Sequence, residues 1–258
     1  MELELSDFQR EVVSLVQKAH VPGKHSARSA IFHIQKAWQI RKIDPEMAVF
    51  RAITGTEEAS TALFHALKRH KYKGADALKP YNHFQKSAVT PFLNAVGRDL
   101  DSFAKTLNFD PKIEVRKNDV DVRFRLRVTV VGPDSQKKYA YPEPPLNWCI
   151  DMNDRLYDFK DEIQRVATEK NAKDIVKYIN ELANKRNRIL YSSHQGVPQI
   201  QGNIDNYLKI TQSEIFSKLN IFLMIDPYKE KQLFVEQVLA VFLKTLDLIP
   251  QDRIVDPE

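Results

Sequence analysis

The side chains best suited to chemistry lie close together near the end of one stretch, IVKYINELANKRNRILYSSHQGVP (175–198): Arg186, Asn187, Arg188, Tyr191 and His194. A guanidinium presents a rigid fork of donors to anionic oxygens, and an imidazole or a phenol can move a proton. The stretch reads as a helix running into a loop closed by Gly196 and Pro198. Ile175, Ile179, Leu182, Ile189 and Leu190 fall at three- and four-residue steps on one face. Arg186 occupies that same face, whereas Arg188 points almost the opposite way, because two residues turn a helix by roughly 200°. A guanidinium on a packed face is costly unless paired. Two explanations stand: a structural ion pair or a stem reaching to solvent, and a site at a helix–helix or subunit seam.

Asp44-Pro45-Glu46 is a helix start, with Asp at the cap and Pro in the first turn. The helix it opens is expected to run to about Tyr72. Its face Gly55, Ala59, Ala62, Leu63, Ala66, Leu67 is small in its first half, which permits a close crossing. Glu58 borders that seam and Glu57 lies nearer Ile53 and Phe64. Either the two carboxylates sit on a solvated face, or Glu58 fixes Arg186 across the seam.

The Arg186-Asn187 pair at a helix end, the polar Tyr191 and His194 that follow, and the Gly-x-Pro stop resemble the HEPN domains. The ending LYSSHQGVP is most similar to abortive-infection proteins of the AbiV type. AITGTEEASTALFHALK (52–68) resembles the early AbiV-type helix with its paired glutamates. The resemblance covers about half the chain. It implies a four-helix module, a homodimer that brings two motifs together, and a role as a toxin or phage-defence effector. It further implies metal-independent cleavage of RNA, with no cofactor. The strand's own 2′-hydroxyl then attacks the adjacent phosphate. Arg186 stabilises the developing charge, His194 or Tyr191 acts as acid and base, and Asn187 orients phosphate or water. Counted from Arg186-Asn187, the tightest family spacing puts Tyr191 where a histidine usually stands. Arg188 has five residues before His194 but no polar neighbour following it. The alternative is a non-catalytic HEPN-like interaction or sensor protein engaging a nucleic acid or a phage or host protein.

Composition narrows the classes. At 258 residues and 43% hydrophobic, the chain can bury a substantial core. Seven glycines and 28% charged residues favour helices over an all-β fold. Cys149 is alone, which excludes an internal disulfide and a cysteine-based zinc site and fits a reducing, cytoplasmic setting. No apolar run is long enough for a membrane span, and MELELSDFQREVV is unlike a signal peptide. Walker, dinucleotide-binding and nucleophile-elbow motifs are missing, and no His pair has zinc-helix spacing. Of the seven histidines, His194 stands apart in its loop, and most of the other six read as surface or satisfied helix residues.

Stepping along the chain, helices are expected over about 7–19, 26–42, 45–72 and 84–107, the last kinked at Pro91. Further helices are expected from about 154 to 168, 172 to 191, 204 to 225 and 229 to 246. The apolar segment 221–225 should be central. The basic run 68–73 suits a helix C-terminus. Between the helical halves the pattern changes. From Val120 the residues alternate, with Val122, Phe124, Leu126 and Val128 on one face and Arg123, Arg125 and Arg127 on the other. Neighbouring strands are expected at 113–117 and 137–141. Residues 116–138 hold seven Lys/Arg against three Asp. That local excess of four nearly equals the net charge of the whole chain, +5. An arginine strand is either a solvated face or a phosphate-binding ribbon, which with Arg188 would grip nucleic acid. The fold class is therefore mainly α, a HEPN-like multi-helix bundle with a small inserted antiparallel sheet. It divides into 1–110, 111–149 and 150–258. A weaker idea is a small-ligand pocket beneath the sheet.

Overall fold

The computed structural model describes residues 3–106, 109–117, 122–131, 136–147, 150–151, 156–157, 164, 166, 168–190 and 202–249; within 183–190 only the side chain of Ile189 is described. Among these, α1 (Asp7–Val16), α2 (Gly23–Ile40), α3 (Pro45–Arg69), α4 (His83–Thr106), α5 (Glu169–Leu190), α6 (Ile204–Ile225) and α7 (Leu233–Asp247) form a helical bundle. A single three-stranded antiparallel sheet joins it, of β1 (Phe109–Lys117), β2 (Val122–Val131) and β3 (Lys137–Ala140) in that order. The fold is mainly α with a small sheet, as expected.

Helix starts follow local chemistry. Ser6 and Gln9 form a reciprocal capping box on α1, each backbone N–H donating to the other's side chain at 3.2 Å. Asp44 accepts from the Met47 amide at 2.9 Å, with Pro45 in the first turn of α3. Asn203 caps α6 in the same way. α2 begins at Gly23, three residues before the expected Ser26, because the Pro22 carbonyl already accepts from the His25 amide. α4 runs through Pro91.

α3 is the central helix. It packs most extensively on α2 and next on α6, and it is buried nearly all round. The small face does what its composition predicts. A Cβ on Gly55 would lie 3.0 Å from Ile215 and 3.1 Å from the Ala30 carbonyl, so only glycine admits α2 and α6 this closely. Phe222 to Ile225 of the apolar segment are buried as well.

Two expectations need correction. The helix expected over about 154–168 does not include Leu156–Tyr157, which form a strand β5 pairing antiparallel with β4 (Ile150–Asp151). α7 begins four residues later than expected, because the preceding residues are taken up by tertiary bonds. Gln232 is fully buried. Its amide donates to the Tyr72 hydroxyl at 3.0 Å, its side-chain carbonyl accepts from the Leu146 amide, and its side-chain NH2 donates to the Met224 carbonyl.

The sheet rests on the bundle by its apolar face. Phe124 and Leu126 are buried, and Phe124 stacks on Phe8 of α1 with ring centroids 5.3 Å apart. Among the described residues no helix is long and apolar enough to cross a membrane.

Candidate functional site

α5 carries Arg186, Asn187 and Arg188. The apolar face proposed for it is real: Ile175, Ile179 and Ile189 are buried, and Ile189 packs with Val49 and Ile53 of α3. Arg186 stands on that face by helical register. The side chains of Arg186, Asn187 and Arg188, and the whole of Tyr191 and His194, lie outside the described residues.

Glu58 is half-buried, and Glu57 is the deeper of the two at 4% exposed. The pair does not sit on a solvated face. Glu57 accepts from His83 Nδ1 at 2.7 Å and lies 3.5 Å from the Lys86 ammonium, both from the first turn of α4. Burial raises the Glu58 pKa, opposed by Lys86 and reinforced by Glu57; Ser29 of α2 donates a hydrogen bond to it. Behind them Lys218 of α6 is 1% exposed, and its ammonium donates to the Thr56 carbonyl at 3.2 Å. Burial pulls Lys218 down to about 7, against the pull of Glu214 and Glu57. Glu214, one turn earlier on α6, is raised by burial and held back by Lys218. Tyr207, at the start of α6, is pushed up to about 12 by burial. A layer of opposite charges thus runs through the middle of the bundle, built from α3, α4 and α6, with Ser29 of α2 bonded to it. Sequence reasoning found Glu58 and missed His83, Lys86, Glu214 and Lys218. The legible signal was Glu214–Lys218, a four-residue charge pair set among the apolar Ile215, Phe216 and Leu219.

The arginine strand is legible in full. In register, Arg116 faces Arg123, Glu114 faces Arg125, Lys112 faces Arg127 and Thr129 faces Tyr139, so these side chains share the outer face. The guanidiniums are half-buried and engaged. Arg125 donates twice to Glu114, at 2.9 and 3.1 Å, and Arg127 pairs with the same carboxylate at 2.5 Å. Arg116 and Arg123 approach Glu143 at 3.9 Å. Each strand arginine also lies over a ring: Arg123 over Tyr228 at 5.6 Å, Arg125 over Tyr141 at 4.3 Å, Arg127 over Tyr139 at 5.5 Å. Tyr139 and Tyr141 are about half exposed, at 54% and 47%.

No family model, no curated protein and no solved structure matches this chain.

Proposed function

We propose that this protein holds single-stranded RNA on the outer face of its sheet and cleaves it without a metal, as an HEPN-type endoribonuclease serving as a toxin or phage-defence effector. The observation that carries the RNA half is the ladder of Arg123, Arg125 and Arg127 interleaved with the half-exposed Tyr139 and Tyr141. Guanidiniums track phosphates, and tyrosine faces stack bases of any sequence. The cleavage half rests on the resemblance at Arg186-Asn187 and His194. The 2′-oxygen attacks phosphorus as His194 or Tyr191 takes its proton. The bond to the 5′-oxygen breaks as that oxygen is protonated, and Arg186 offsets the charge on the phosphorane.

Labelled total RNA incubated with the purified protein, with and without EDTA, tests both halves. Cleavage should persist in EDTA and vanish in Arg186→Ala with the fold intact. Arg123→Glu with Arg125→Glu should abolish retention of RNA at low salt. Cleavage that survives Arg186→Ala, or that EDTA stops, would overturn the proposed mechanism.

A second reading has its own observation. Glu114 and Glu143 already stand among the four guanidiniums of the face. That arrangement suits a non-catalytic interaction or sensor module whose partner competes for ready-made pairs. Binding without cleavage in the same assay would select it.

A further inference from the structure

We propose that a cleft between α4, α6 and α7, floored by α3, binds an unbranched aliphatic chain of about ten to twelve carbons with an uncharged polar end. Its volume is about 310 Å³. That is roughly twice the size of an apolar cavity that stays dry and takes up the six carbons of benzene. The floor is made of Phe64, Leu78, Phe92 and Phe242, all 5% exposed or less. The sheet contributes no residue to it, so this is not the pocket beneath the sheet considered from sequence.

The polar side chains of the cleft are few. Among the described lining residues only Asn94 and Ser217 carry polar side chains, and both are exposed. An amide and a hydroxyl can satisfy an alcohol or ester oxygen. Among the described residues no Lys, Arg, His, Asp or Glu lines the cleft, so a charged head group would meet no counter-charge from them. Gly97 also lines it, and a Cβ there would meet no heavy atom within 4 Å, so the backbone of α4 leaves an open approach. Volume, apolar floor and exposed polar residues together match a chain inserted tail first.

The full chain is titrated with 1-decanol and, separately, with decanoate. Binding is read by thermal unfolding and by the methyl NMR shifts of Leu, Val and Ile residues. At a hundredfold excess over Kd, 1-decanol should raise Tm by roughly 5 °C or more. The shifted methyls should be those of Val96, Leu239 and their neighbours, and decanoate should bind at least tenfold more weakly. Val96→Phe and Leu239→Phe each fill the cleft from a different helix. Either should fold and lose the response. If one variant fails to fold, the other and the methyl shifts of the unaltered protein decide. No response to 1-decanol, an equal response in a filled variant, shifts confined to other methyls, or equal binding of decanoate would overturn the proposal.

Discussion

At the scale of single residues, the informative departure from pattern is charge inside the bundle. Lys218 is fully enclosed; it donates to the Thr56 carbonyl and lies in the fields of Glu214 and Glu57. Its folded-state pKa, near 7, lies below the ordinary lysine value. From pH 7 to about 9.5 the unfolded chain therefore binds a proton at this position that the folded chain has released, and stability rises with pH across that window. Lys218→Met removes that contribution. Urea unfolding at pH 7 and pH 9.5 should show a gain in stability for the unaltered protein that is smaller in the variant. Identical gains would show that Lys218 titrates alike in both states. Asp226 makes a related point. It is 1% exposed and accepts from both the amide and Nδ1 of His20 at 2.9 Å, while its carbonyl meets His70 Nε2. His20, His70 and His83 are satisfied residues of the kind anticipated for most of the histidines.

Elements were legible to the extent that their periodicity exceeded local noise. Helix α6 falls on its expected bounds, and β2 shows the anticipated two-residue alternation through Leu126, with Phe124 and Leu126 inward. That alternation predicts how the sheet is fastened. Phe124 is 1% exposed and stacked on Phe8, and the Tyr228 hydroxyl donates to its carbonyl at 3.2 Å. Phe124→Ala should cost about 3–5 kcal/mol in urea unfolding, the usual range for emptying a buried phenylalanine site. A loss below about 1 kcal/mol would mean that the sheet does not depend on this contact. The spacing of the same strand allows either a solvated or a phosphate-binding face. Its arginines proved to be half-buried, because Glu114 and Glu143 and three tyrosines come to them from other strands and loops. No spacing within β2 could have announced those partners.

For the molecule as a whole, the proposed nuclease needs two copies, since the motif it resembles works across a shared seam. Light scattering at concentrations where cleavage is measured should give about twice the 29.9 kDa chain mass. A monomer that still cleaves would sink the shared-seam version. The apolar cleft and the charged layer belong to this scale too, because each draws side chains from several helices remote in sequence.

The chain's own order of residues sufficed for its class: helices from three- and four-residue spacing, caps from Ser6, Asp44 and Asn203, and a twofold strand pattern between the two helical parts. These depend on backbone geometry and neighbours a few positions away. Packing alone decided that Glu57 rather than Glu58 is buried, that Lys218 shares its field, and that Gln232 delays α7 by joining Tyr72, Leu146 and Met224. Those outcomes turn on contacts between segments separated by tens to hundreds of residues. Desolvation and pairing there are properties of the assembled interior, which no local window of sequence contains.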